Sequence, residues 1–381
     1  MIIIGADMVP TKSNYDLFAN SRIEDLVGEE IVKIFKSSDF SIFNLELPLT
    51  DSEKYINKIG VCLKAPKTAI NAYKSLGVNF LTLANNHIMD YGPKGLLDTI
   101  DVLNATGISF AGVGQNINEM KSSYIFEYKG KKIGIYCCVE HEFSVATTTS
   151  MGANPYQKLK TYLEVKSLKE ECDKIIVLYH GGKEHYRFPS IELQMSCREL
   201  VDAGADLVIC QHSHCIGCEE KYNNGTIVYG QGNFLFDDED NEYWNSGLLI
   251  QIDDDFSISY IPIIKNKETV RLANENAKQT ILNEFHERSN LILIPDMVQK
   301  KYDEFADEML FSYLYLLSGF RKKVIFRILN KLTKNRFGRW YLFKKYNKER
   351  LLVLQNFLEC EAHRELLTTG IKNKIEKVDY N

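Results

Sequence analysis

Phe80-Leu81-Thr82-Leu83-Ala84-Asn85-Asn86-His87 runs from a short apolar, β-favouring segment straight into two amides and an imidazole. Five other segments end the same way. Asp7 follows residues 2–6, Asn44 and Glu46 follow 41–43, His180 follows 175–179, His212 and His214 follow 207–210, and Asn233 follows 227–232. In an open α/β sheet the carboxyl ends of the strands converge on one crevice. Strands of one sheet are therefore expected to carry two carboxylates, an Asn amide and three imidazoles to one place. That donor set suits one or two divalent metals and points to an enzyme.

The surrounding sequence alternates strand and helix signals. Residues 67–76 have helical spacing and stop at Gly77, and residues 93–106 carry Pro93 near the start and Gly107 past the end, the usual punctuation of a helix. Residues 124–128 and 131–136 flank a Lys-Gly turn, and Asn224-Gly225 marks a second hairpin. Residues 154–172 read as a helix, and Ser190 caps another that ends at Gly204. After about Lys265 strand signals fade and mixed-charge helical segments take over. The expected organisation is an α/β domain over residues 1–270 and a helical C-terminal appendage over 271–381.

Hydrophobic residues make up 45% and charged residues 25% of the 381, the balance of an ordinary globular chain with a large core. Nine cysteines show no framework spacing and read as reduced thiols, and Met1 leads into Ile2-Ile3-Ile4 without a basic leader. Both favour a cytoplasmic protein. The net charge of −5 excludes a whole-chain nucleic-acid binder. Residues 321–350 depart from it, with twelve Lys/Arg and the single acid Glu349. Their interleaving with Phe326, Trp340, Tyr341 and Phe343 fits peripheral contact with the inner membrane face. A solvated helical face is the plainer alternative.

Each signature has a bland reading and a chemical one. His212-Ser213-His214, on an extended segment, directs both imidazoles the same way, toward a metal pair; surface or core histidines are the alternative. Asn85-Asn86-His87 with Asp90 and Gly92 is a polar capping turn, or an amide ligand beside a proton-donating imidazole. Glu46 sits among Leu45, Leu47 and Pro48, where an acid is costly unless paired or metal-bound, and a bridging carboxylate suits it. His180-Gly181-Gly182 offers a ligand beside backbone that a substrate can approach closely, with Glu184 to orient it or act as base. Asn233, in a Gly-rich passage that lacks a dinucleotide fingerprint, reads as substrate-binding. Cys215 and Cys218 form a single C-x-x-C without partners at zinc spacing and read as structural.

With these residues in hand, the chain resembles the CapA family, the poly-γ-glutamate capsule synthesis proteins related to calcineurin-like metallophosphoesterases. The resemblance covers about residues 1–265. It rests on Gly5-Ala6-Asp7, Asn44-Leu45-Glu46, Lys64-Ala65-Pro66, Asn85-Asn86-His87 with Asp90 and Gly92, His180 to Glu184, Gly204-Ala205-Asp206, His212 to His214, and Gly232-Asn233-Phe234 with Phe236-Asp237. It implies a metallophosphatase-like α/β sandwich with a metal site at the strand ends. By that resemblance Asp7, Glu46 and His214 hold one metal, Glu46, Asn86, His180 and His212 hold a second, and His87 donates the proton. The chain departs from the pattern at Val9, where the superfamily has a ligating His, and at Gly181 and His185, where the family usually has Trp and Tyr.

The resulting expectation is a capsule or polymer biosynthesis protein using one or two divalent ions (Mn, Fe or Zn). It is expected to hydrolyse phosphoester or amide bonds in an anionic polymer or peptide held by Asn44, Lys64, Asn85 and Asn233, with His87 and Glu184 as catalytic groups. The capsule synthesis machinery is the expected partner. A peptide epimerase using the same site, and a non-catalytic polymer-binding or export accessory, are the alternatives.

Overall fold

A computed structural model of the chain describes residues 1–237, 241–320 and 324–378. The chain divides into two units, Met1–Tyr302 and the segment from Asp303 onward. In the first unit two sheets face each other. The first has Ile2–Val9 at its centre. On one side lie the parallel strands Phe40–Asn44, Phe80–Thr82 and Ser109–Ala111, and on the other the antiparallel Ser246–Ile252, Ile258–Asn266 and Thr269–Leu272. Asn233–Phe236 pairs in parallel with the end of Ile2–Val9. The second sheet runs through parallel strands Lys131–Val139, Lys174–His180, Leu207–Gln211 and Gly225–Tyr229, edged by Ser123–Tyr128 and Glu219–Tyr222. This is the expected α/β sandwich.

Strand parity sets which residues meet between the sheets. Along Lys174–His180, Ile176 and Leu178 join Ile4, Phe43 and Leu81 of the first sheet in one cluster, whereas Ile175, Val177 and Tyr179 pack outward with Leu200 and Val201. Side chains alternate with a period of two, so His180 lies on the inner face. Leu207 and Ile209 face inward in the same way. Packing is tight beneath the site: a Cβ on Gly5 would fall 2.0 Å from Phe43 Cε1, so only glycine lets that ring lie across the strand.

Most boundaries follow the local signals. Gly77 and Gly107 take left-handed φ of 90° and 74° after helices Ile70–Leu76 and Gly92–Thr106. Ser190 Oγ accepts the Leu193 N–H at 3.1 Å and starts Ile191–Asp202. The helix expected over 154–172 is shorter, Lys158–Glu171. The first unit also extends past the expected change near 270. Thr269–Leu272 pairs with Ile258–Asn266, and helix Glu275–Leu291 buries Phe285 against Ile216 and Leu248. Mixed charge along that helix hides a buried face from a composition-based reading.

The second unit is helical, with Val324–Leu332, Arg336–Lys345, Lys348–Glu359 and Glu361–Val378. Its small core gathers Phe311, Phe320, Phe326 and Leu342. Arg321, Lys322 and Lys323 of the basic stretch lie outside the described residues. No helix among the described residues is long and apolar enough to cross a membrane.

Candidate metal centre

The six expected ligands converge, but from two sheets rather than one. Asp7, Glu46 and Asn86 leave the carboxyl ends of the first sheet, and His180, His212 and His214 those of the second. The ligand atoms of Glu46, His180 and His212 lie within 4.8 Å of one another, as do those of Asp7, Glu46 and His214. Asn86 Oδ1 is 3.0 Å from His180 Nε2. Glu46 is therefore common to both groups, the position of a bridging carboxylate.

Burial makes this arrangement costly without a cation. Asp7 Oδ2, both Glu46 carboxylate oxygens and His212 Nδ1 are buried and accept no hydrogen bond. Each such group costs about 1–3 kcal/mol, and more when charged. Divalent ions in the two groups would satisfy these atoms between them, so the donor set fits metal. His212 and His214 add backbone strain, with φ of 98° and 53°. Non-glycine residues held there cost about 1–3 kcal/mol each and cluster at functional sites. This corrects the expectation of an extended His-x-His. The strand ends at Gln211, and the two rings reach separate groups through turned backbone.

The charges are interlocked. Burial disfavours a charged Glu46, but His214 and His180 outweigh it and hold the carboxyl well below its usual range. Burial and the Glu46 charge push Asp7 up. Burial works against a charged His214, yet Glu46 and Asp7 raise it to about 9; Glu46 likewise raises His180 against the same penalty. Burial, then the charges of His180 and His214, drives His212 well below its ordinary value. Metal binding would displace protons from these rings, because only neutral imidazole ligates.

Three residues expected to bind substrate contact the candidate ligands or one another. Asn44 Nδ2 donates to Asp7 Oδ1 at 2.7 Å and sits 3.2 Å from His180 Nδ1. Asn85 Nδ2 donates to Asn44 Oδ1 and the Leu45 carbonyl, at 3.1 and 2.8 Å. Asn233 Oδ1 is 2.9 Å from His214 Nδ1. All three are buried. Asn44 and Asn233 lie beside Asp7 in register, and Asn85 lies three residues past Phe80–Thr82. Lys64 lies apart: Nζ bonds Glu53 and the Ser52 carbonyl, and lines a neighbouring cavity of about 650 Å³. Glu184 is exposed on the wall of a cavity of about 290 Å³. Asn44 is the residue that stands beside His180 Nδ1.

His87 lines the same 290 Å³ cavity, alongside Asn86 and His214. Its Nδ1 lies 2.6 Å from Asp90 Oδ2. Lys58, which no sequence signal marked, is 3% exposed, pairs with Asp90 Oδ1 and stands 3.2 Å from His87 Nδ1. Asp90 also accepts the Leu63 N–H at 2.7 Å, so one carboxylate fixes both the imidazole and the loop beside it. Glu140 was missed as well. It faces His212 at 3.6 Å, and it ends the apolar run 133–139 just as the recognised ligands end theirs. Trp244 packs on His214 at 4.8 Å between ring centres and donates to His185 Nε2 at 2.8 Å.

An α/β sandwich with a buried acid shared by two ligand groups defines a candidate metalloprotein. The family model for the bacterial capsule synthesis protein PGA_cap matches residues 2–238, and the chain belongs to that family. It is 31% identical over 222 residues to the capsule biosynthesis protein CapA of Bacillus anthracis, covering 56% of this chain and 54% of that protein. It is 27% identical over 217 residues to the PGA biosynthesis protein CapA of Bacillus subtilis, covering 56% and 57%. The chain thus spans about half the length of the curated relatives it matches. Similar solved structures include a phosphatase from Mycoplasma pneumoniae (TM-score 0.44, 17% identity, 70% of this chain and 94% of that one). Another is a 5'-nucleotidase precursor from Thermus thermophilus (TM-score 0.43, 12% identity, 75% and 58%).

Proposed function

We propose that this chain is a divalent-metal-dependent hydrolase acting in capsule-polymer biosynthesis on a phosphoester or amide bond of an anionic polymer or its precursor. The observation that carries the reading is Glu46, fully buried at the vertex of two ligand groups with His180 Nε2 3.3 Å from one of its oxygens. Asp7, Glu46 and His214 would hold one ion, and Glu46, Asn86, His180 and His212 a second. Mixed carboxylate, amide and imidazole donors suit Mn, Fe or Zn. When bound, the ions supply Lewis-acid charge and ease deprotonation of water near neutral pH.

The chain's own groups account for the rest. Asp90 accepts from His87 Nδ1, which leaves Nε2 to deliver a proton to the leaving atom. Lys58 holds Asp90 in that role. Trp244 and Phe236 wall the cavity on the His214 side. That cavity shares Val61, Leu63 and Phe236 with the 650 Å³ cavity that Lys12 and Lys64 line. A cleft continuing past the metal groups toward lysines suits an extended anionic substrate. The names of the Bacillus relatives support capsule biosynthesis as the setting; the capsule synthesis machinery is the proposed partner.

One specific feature favours a second reading, a non-catalytic polymer-binding accessory. Val9 is fully buried where the resemblance expects a ligand, so the Asp7 group has three protein donors. Elemental analysis of the purified protein and of Glu46→Ala, paired with hydrolysis assays on phosphodiester and γ-glutamyl substrates, separates the two. The hydrolase reading expects bound metal that Glu46→Ala loses, and turnover that a chelator abolishes. Metal binding without turnover on either substrate class would support the accessory. Equal metal content in both proteins would overturn the site.

A further inference from the structure

The helical unit carries an apolar stripe that its own core does not use. In Val324–Leu332, Phe326 packs inward with Phe311, Phe320 and Leu342. Val324, Ile328 and Leu332 recur every four residues on the other side and are 63%, 54% and 75% exposed. At 3.6 residues per turn they form one continuous line. Arg327 and Lys331, both exposed, border it. The next helix, Arg336–Lys345, exposes Trp340 at 60%, with Lys344 Nζ 5.4 Å from its ring centre.

We propose that Val324–Leu332 and Arg336–Lys345 form an interfacial anchor for an anionic lipid surface. Charge and apolarity together select this occupant. Residues 321–350 hold twelve Lys/Arg against one acid, in a chain whose net charge is −5. A second copy docking the same patch would bring like charge onto like charge. A soluble polyanion would neutralise the lysines but leave the stripe and Trp340 in water. A bilayer interface takes both, with aliphatic groups entering the acyl boundary and Lys/Arg meeting the anionic headgroups. The inference is independent of the metal site.

The test is co-sedimentation of the full chain with vesicles of phosphatidylcholine containing about 30% phosphatidylserine, at low salt and at about 0.5 M salt, where charge attraction is screened. Binding at low salt, release at high salt and no binding to pure phosphatidylcholine are expected. Ile328→Asp with Leu332→Asp, both at exposed positions, should weaken binding at least about tenfold. Circular dichroism and thermal unfolding matching wild type would show that the fold survives. No sedimentation at low salt would overturn the proposal. So would undiminished binding by a folded Asp variant, or complete competition by soluble polyglutamate with the variant binding as well as wild type, since both would mean charge acts alone. Dimers in sedimentation velocity without vesicle binding would assign the stripe to self-association instead.

Discussion

Glu140 Oε1 stands 3.6 Å from His212 Nε2, while its other oxygen accepts the Gly182 N–H at 3.1 Å. A Cβ on Gly181 would lie 3.0 Å from that second oxygen, so the glycine keeps room for the carboxylate. His212 Nδ1 has no hydrogen-bond partner, which leaves it free to ligate while Glu140 faces the other nitrogen. A carboxylate that hydrogen-bonds a ligating histidine fixes the ring and its tautomer, and losing it weakens metal binding about 10–100-fold. Glu140→Gln should show that loss by calorimetric titration of chelator-treated protein with Mn²⁺ or Zn²⁺, with a shifted visible spectrum in the Co²⁺ form. Unchanged affinity and spectrum would remove the orienting role, whereas loss of metal in Glu46→Ala alone would still uphold the centre.

His87 touches Asp90 and the cavity but belongs to neither ligand group. His87→Ala should keep the wild-type metal content and lower chelator-sensitive turnover about 10²–10⁴-fold, the usual contribution of a general acid. Metal loss in this variant would recast His87 as a ligand, and unchanged turnover would move the proton donor elsewhere.

Asp98 ties the loop that carries Glu46 to helix Gly92–Thr106. Its oxygens accept from Thr50 Oγ1 at 2.5 Å, Lys67 Nζ at 2.8 Å and Lys94 Nζ at 2.5 Å. Burial alone would raise its carboxyl, but these bonds outweigh burial and hold it well below the usual range. A depressed folded-state value stabilises the protein above the unfolded carboxylate value of about 3.9 and loses that contribution as pH falls toward the folded value. Asp98→Asn should therefore destabilise by about 1–2 kcal/mol at pH 7, less than for fully buried partners because Lys94 is solvated. Denaturant unfolding should show the gap between wild type and variant intact at pH 5 and shrinking below about pH 4. A gap that widened with acid would reverse the sign and refute the assignment.

Much of the centre was legible because each candidate ligand lies within four residues of a strand's carboxyl end. Asp7, Glu46, Asn86, His180, His212 and His214 stand where an apolar run gives way to polar residues, and folding brings them together. Asn44, Asn85 and Asn233 share the signal, yet their amides face the ligands rather than the cavity, because register places Asn44 and Asn233 beside Asp7. Lys58 carried no signal, since a loop residue gains its role only from what lies opposite it.

The order of strands along the chain, the helix stops at Gly77 and Gly107, the Ser190 cap and the residue types available to the candidate site were determined by the sequence, because periodicity, capping and residue type act locally. Tertiary structure alone decided that the ligands come from two facing sheets, that His212 and His214 bend out of extended geometry, and that Glu140 and Lys58 join them. Those outcomes depend on how distant backbone segments pack, and on which buried polar atoms then find no other partner.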